Sequence, residues 1–312
     1  MPDIISIGEC FIEFIKPQNP NSPYGKTFSG DALNVLTMGS LLGSHCGFIS
    51  RVSDDPIGDF LIKSWNELGI DTSHVQQCRG FNALEIYSEN SVIGMYRSNS
   101  VASTINKKDI DEEYIKQSKI LHISGISQGI SQSCKTAVLE AVKLAKSHNL
   151  LVSYDPNFRP YLWKHASDAK YAMEEILEYT DMIFPSHPGD TETLLGITDP
   201  DDVYDYFKKW HIPTVILKCG EKGAVAYVEN KKYTMSSIAP YGIIDVVGAG
   251  DTFVGTYLHC INNNIEIKEA LKWSTTAAGI KIGGRSITSQ PESIEIQKHL
   301  SKVIIEQGGI DA

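Results

Sequence analysis

Short β-prone runs alternate with amphipathic helical stretches along almost the whole chain, and this alternation restricts the fold more than any other feature of the sequence. The runs stand at 4–7, 48–52, 120–123, 150–154, 182–184, 214–217 and 224–227. Several are nearly apolar throughout, as strands buried on both faces should be. Between them, 133–147 places Ala137, Val138, Ala141, Val142 and Ala145 on one helical stripe, and 58–68 and 267–282 behave alike. Strands that alternate with helices predict a mainly parallel sheet with helices on both faces, a three-layer α/β architecture. A length of 312 residues suits one large domain, 1–312, with an appendage. Region 79–105 breaks the rhythm. Ala83, Leu84, Ile86 and Tyr87, then Val92, Ile93, Met95 and Tyr96, alternate with polar positions around a polar break at 88–91, which reads as a hairpin. With residues from about 10 to 30 it is expected to form a small separate sheet, a lid that covers a site or pairs with a second copy of the chain.

Charge narrows the partners. The formal net charge is −10, the wrong sign for a nucleic-acid surface. An anionic substrate would need a local cationic pocket against that field. No apolar run approaches the roughly 20 residues that cross a bilayer, and the first residues lack the basic and apolar regions of a signal peptide. Cys10, Cys46, Cys78, Cys134, Cys219 and Cys260 are scattered singly. That pattern argues against a disulfide framework or a zinc site and for a reducing, cytoplasmic setting.

The strongest chemical signal is Asp245-Val246-Val247-Gly248-Ala249-Gly250-Asp251-Thr252. A β-prone piece, 243–247, enters a glycine turn, and a helical pattern follows to about 261. Glycines let backbone amides approach an anion, and the free N–H groups and dipole of a helix start favour phosphate there. Asp251 stands where a hydroxyl attacking phosphorus would be deprotonated; it is equally well placed to be a helix cap. Rival phosphate motifs fit worse. The dinucleotide fingerprint needs a glycine at 253, which is Phe253, and no Gly-Lys-Thr here carries the spacing of a P-loop.

Other elements are individually weaker. Gly30, Asp31 and Asn34 precede a helical stretch, where the two polar side chains can bind adjacent hydroxyls or Asp31 can cap the helix. Asp155-Pro156-Asn157-Phe158-Arg159-Pro160 follows a buried strand, the usual place for ligand-binding loops in open α/β sheets, and Arg159 can take a carboxylate or phosphate. Arg97 is a second candidate anion contact. Lys218, Gly220 and Gly223 belong to a strand–turn–strand element whose backbone a nucleotide can approach, or which is an ordinary hairpin. Asp190, in His187-Pro188-Gly189-Asp190, can hold a water on a metal or simply shape a turn.

Taken in order, these elements resemble the ribokinase-like (PfkB) carbohydrate kinases over nearly the whole chain. The resemblance implies a three-layer αβα domain with a β-sheet lid that often mediates dimerisation, and an ATP-dependent transfer of phosphate to a sugar hydroxyl. It implies that Asp251 is the base and that Gly248, Ala249 and Gly250 form the anion hole. Lys218, Gly220 and Gly223, with the 275–285 segment, would flank ATP, and Mg²⁺ would be held through waters, with Asp190 as the protein group concerned. Where many members carry Asn-x-x-Glu, this chain has His187-x-x-Asp190.

Within the family the chain is most similar to 2-keto-3-deoxygluconate kinases, through Asp-Pro-Asn-x-Arg-Pro-x-Leu-Trp at 155–163 and the lid strand at 96–103. That likeness implies that Arg97 and Arg159 contact the substrate, beside Gly30, Asp31 and Asn34. Glu85 and Met95 stand where those enzymes often have tyrosines. A fructokinase, a non-catalytic sugar or nucleotide sensor, and a nicotinamide-dependent dehydrogenase are the alternatives.

Overall fold

The computed structural model describes residues 1–17, 19, 21–88, 91–285 and 289–309. One large sheet runs through the molecule. Its parallel part is ordered Thr214–Lys218, Met182–Ile183, Leu151–Asp155, Ile120–Ser124, Ile4–Ile7, Cys46–Ser53 and Ile70–Asp71, with Val75–Cys78 also paired to Cys46–Ser53. Ala224–Val228, Lys231–Met235 and Ile305–Gly309 extend the other side antiparallel. Ile4–Ile7, Ile120–Ser124 and Thr214–Lys218 are nearly fully buried, as nearly apolar strands covered on both faces are.

Because side chains alternate across a strand, each strand feeds two cores. Ile4, Ile120 and Ile216 meet Leu33, Phe253 and Leu271 of the helices on one face. Ile5, Leu121 and Val215 meet Ala137, Met173 and Phe207 of those on the other. The stripe expected at 133–147 is the buried face of helix Gln132–Ser147, capped by Ser131, whose hydroxyl accepts from the Cys134 amide. The patterns at 58–68 and 267–282 form helices Pro56–Glu67 and Ile267–Lys281.

The expected small sheet forms from four strands in the order Gly25–Ser29, Phe11–Ile15, Ala83–Ser88 and Ser91–Tyr96. Its outer pairs are antiparallel and its central pair, Phe11–Ile15 with Ala83–Ser88, is parallel. Residues 89 and 90, at the tip of the expected hairpin, lie outside the described residues, as do 18 and 20 within the 10–30 stretch.

One expectation is corrected. The β-prone piece at 243–247 is not a strand. Instead the Ile244 and Asp245 amides both bond the Ile282 carbonyl, and Ile243, Val246 and Val247 are left exposed. All six cysteines are unpaired, and among the described residues no helix is long and apolar enough to cross a membrane.

Candidate active site

Two adjoining clefts open at the carboxyl ends of the parallel strands, where loops change direction across an open α/β sheet. One, of about 430 Å³, lies between the main sheet and the small sheet. The other, of about 650 Å³ and more apolar, lies beside the Gly220–Gly223 turn and helix Ile267–Lys281. They share Ser186, Lys218, Val246 and Gly250.

The shared wall is the glycine turn. Gly248 caps helix Ala249–Asn262 at φ 77, a left-handed conformation that glycine adopts without strain. In the first turn, the Ala249 amide is taken by the Val246 carbonyl and the Thr252 amide by the Gly248 carbonyl. Helix geometry leaves the Gly250 and Asp251 amides between them without a carbonyl inside the helix, so the turn offers two donors and the positive end of a dipole to an anion.

Asp251 sits on that first turn, partly open to the cleft between the two sheets. Burial, then the nearby Asp31, push its carboxyl up to about 7, against the opposing effect of a hydrogen bond from Asn34. That bond runs from Asn34 Nδ2 to Asp251 Oδ2 at 2.8 Å. Asn34 is buried, and its Oδ1 has no partner among the described residues. The grouping Gly30, Asp31 and Asn34 is therefore brought together as expected, but Asn34 has already committed its amide to Asp251. Asp31 is held by Asn157 Nδ2 at 3.4 Å.

Lys218, at the end of its strand, forms an ion pair with buried Asp155, and its Nζ lies 3.2 Å from where a side chain on Gly250 would begin. It faces both clefts, a wider position than the nucleotide-side place expected for it. Gly220 and Gly223 line the second cleft. Gly223, at φ 90, passes so close to the next strand that a Cβ would lie 1.9 Å from the Met235 carbonyl. Thr275, Ala278, Gly279 and Ile282, from the expected 275–285 segment, form the opposite wall.

Asp190 is the residue expected to act on a metal through water. It is 5% exposed, and its two oxygens accept the Phe158 and Ser186 amides at 3.0 and 2.8 Å, tying together the loops that follow two neighbouring strands. His187 lines the larger, more apolar cleft and bonds Thr191 Oγ1 at 2.8 Å.

The two arginines reach one cleft but are not equivalent. Arg97 is buried, ion-paired with Glu9 and bonded to the Tyr161 hydroxyl at 3.3 Å. Arg159 makes no ion pair among the described residues and bonds only the Phe158 carbonyl, at 3.0 Å. Of the two arginines expected to contact the substrate, Arg97 is ion-paired and Arg159 is not, among the described residues. Glu85 also lines the cleft; burial and the neighbouring Glu13 push its carboxyl up to about 7.

Glu9, Tyr87 and Tyr161 line the cleft without having been candidates in the sequence, and Asn157 was named there only within its loop motif. Glu9 was accessible in principle, because it follows the first strand at the carboxyl end where such sheets bind ligands. Tyr161 and Tyr87 carried no such signal.

An anion-binding turn with a carboxylate beside it, set between a polar cleft and an apolar one, is the arrangement of a phosphotransferase that moves a phosphoryl group from a nucleotide to a small polar acceptor. The chain belongs to the pfkB family of carbohydrate kinases, whose pattern matches residues 1–293, and it is an ATP-dependent carbohydrate kinase. It is 31% identical to a 5-dehydro-2-deoxygluconokinase of Mesomycoplasma hyopneumoniae, over 93% of this chain and 90% of the relative. The fold is shared with a fructokinase of Xylella fastidiosa solved with bound ATP, at a TM-score of 0.86, 17% identity and coverage of 97% and 99%. It is shared as well with the 2-dehydro-3-deoxygluconokinase of Thermotoga maritima, at a TM-score of 0.85, 20% identity and coverage of 96% and 98%.

Proposed function

We propose that the chain phosphorylates the primary hydroxyl of a six-carbon keto-deoxy sugar acid, with 5-dehydro-2-deoxygluconate the first choice and 2-keto-3-deoxygluconate the second. The observation that carries this reading is Arg159, a cation without an ion-pair partner among the described residues, in the same cleft as Asp251. The sugar-acid relative at 31% identity supports the acceptor class.

In this reading the acceptor lies between the small sheet and the strand ends, with Arg159 on its carboxylate. Arg97, oriented by Glu9, and Gly30 and Asp31 meet its oxygens. Glu85 does not repel the acid, because a carboxyl raised to about 7 is substantially protonated near neutrality and can donate to a hydroxyl. Asp251, steadied by Asn34, accepts the hydroxyl proton as the sugar oxygen bonds to the γ-phosphorus and the bridging bond to ADP breaks. A base near pH 7 is well matched to that transfer.

ATP lies along Lys218, Gly220 and Gly223 and against the 275–285 wall. The Gly248–Ala249–Gly250 turn and Lys218 stabilise the phosphoryl oxygens, so positioning and electrostatics dominate. Magnesium bound with ATP would neutralise phosphate charge. The residues fit an ion carried by phosphates and water: among the described residues, no group of three or more His, Cys, Asp or Glu is placed to hold a metal. Asp190, engaged with two amides, would reach such an ion only through water.

Six unpaired cysteines suit a reducing, cytoplasmic setting. The exposed Ile93, Met95 and Tyr96 of the small sheet suit pairing with a second copy, which sedimentation of the wild-type chain would test against a monomeric mass.

The test of function is ADP release with ATP and Mg²⁺ against both keto-deoxy acids, fructose, ribose and a nucleoside. Turnover confined to the keto-deoxy acids is expected. Preference for fructose or ribose would sink the sugar-acid pocket, and silence on every acceptor would favour a sensor.

A further inference from the structure

Against the glycine turn lies a lysine that the mechanism above does not use. Lys281 is the last residue of helix Ile267–Lys281, and it is 2% exposed. Its Nζ has no hydrogen-bond partner among the described residues. An ammonium carries three donors, and holding one out of water unpaired is costly. Burial accordingly lowers its pKa. A lysine at a helix C-terminus gains from the dipole, but an exposed side chain would collect that gain without the burial.

Its surroundings give the charge a use. Lys281 Cε lies 3.5 Å from where a side chain on Gly248 would begin. The carboxylates whose charge reaches its ammonium are Asp245 and Asp251, flanking the turn, and Glu13 of the small sheet. The next residue, Ile282, holds the entry of the turn by accepting the Ile244 and Asp245 amides at 2.7 and 3.2 Å. One helix end therefore fixes the backbone of the turn and places a cation against it.

We propose that Lys281 is a positioning residue for phosphoryl transfer: a buried cation that keeps the 245–251 turn, with a carboxylate on each side of Gly248, in the shape that presents its free amides to the phosphoryl group. It touches no substrate and acts through the turn. The proposal rests on the reading of Asp251 and this turn given above. The glycine turn was legible in the sequence, but its counter-charge was not, because Lys281 is 30 residues further along in a helix whose other buried positions are small or apolar.

Lys281→Met keeps length and removes charge. We expect kcat with saturating ATP and acceptor to fall by up to about 10²-fold, as for a misplaced reacting group, with little change in the acceptor KM. The acid limb of the pH–rate profile should move to higher pH as Asp251 loses a nearby cation; Asp31, Asp155 and Lys218, which also act on Asp251, are unaltered in this variant. The melting temperature should hold or rise, because an unpaired buried charge has gone. Lys281→Arg should retain most of the turnover and the wild-type limb.

Unchanged kcat with a raised melting temperature would show an idle lysine and overturn the proposal. A lowered melting temperature with normal kcat per folded molecule and an unmoved limb would show a purely structural one and overturn it too. If Lys281→Met does not fold, loss of turnover in a well-folded Lys281→Arg would count against the proposal. Asp251→Asn, run alongside, separates the two readings. Turnover retained there removes the base assignment, whereas a dead Asp251→Asn beside a fully active Lys281→Met removes the lysine alone.

Discussion

The two ends of the site are made of different material. The phosphoryl end is mostly backbone: a left-handed Gly248, two free amides and a helix start, with one carboxylate added. The sugar end is mostly side chain, and several of its charged groups are already engaged or perturbed by their neighbours. Arg97 is paired with Glu9, Asp31 is held by Asn157, and Glu85 is raised by burial beside Glu13. A backbone device works only in one shape and leaves a short, recognisable motif. A side-chain pocket takes its properties from pairings made across the fold, so its chemistry can differ between chains that share the first device.

If that division is right, substitutions at the two ends should fail differently. The largest effect is expected at Asp251. Asp251→Asn should lose roughly 10²–10⁴ in kcat, the usual cost of a missing general base, with an unchanged melting temperature; a folded variant that keeps most of its turnover would break the comparison at its first term.

Next comes the buried pair, with side chains 1% and 9% exposed. Glu9→Gln should destabilise the protein by about 3–5 kcal/mol, because it strands the Arg97 charge. Adding Arg97→Met should restore most of that loss, as urea unfolding of the single and double variants would show; simple additivity would mean that the pair is not coupled.

Arg159→Met should leave stability alone and raise KM for a keto-deoxy acid by about tenfold to a hundredfold, the value of a charge-assisted contact of about 1.5–3 kcal/mol. Equal effects at Arg97 and Arg159 on both stability and KM would erase the distinction drawn between them.

The smallest effect concerns pH. The Glu85 carboxyl, raised from 4.5 to about 7 in the folded chain, binds its proton more tightly folded than unfolded. Its contribution to stability is therefore greatest at low pH and falls as pH rises from about 4.5 through about 7. Glu85→Gln should flatten the drop in melting temperature between pH 5 and pH 8. An identical slope in wild type and variant would show that Glu85 titrates normally.

The same contrast explains what the sequence could disclose. Parallel strands, their flanking helices and the small sheet follow from local period, because nearly apolar runs and the 137–145 stripe are local facts. The glycine turn was legible for the same reason. The 243–247 piece misled, since β-prone residues become a strand only beside a free sheet edge, and this segment instead hangs from the Ile282 carbonyl. The pairings of Arg97 with Glu9, Lys218 with Asp155 and Asn34 with Asp251 join residues 88, 63 and 217 positions apart. No local pattern encodes them. Asp190 read as a metal-water ligand because its motif position suggests one, while its engagement with two amides is visible only once two loops have been brought side by side.

The central claim is that Asp251, raised to about 7 by burial and Asp31, takes the acceptor's proton. The most direct measurement is the pH dependence of kcat/KM for 5-dehydro-2-deoxygluconate in the Glu85→Gln variant, which removes the Glu85 carboxyl raised to about 7. The account predicts an acid limb that still falls off near pH 7, and that disappears when Asp251→Asn is added. A profile flat from about pH 5.5 to 8, or a limb that survives Asp251→Asn, would contradict it.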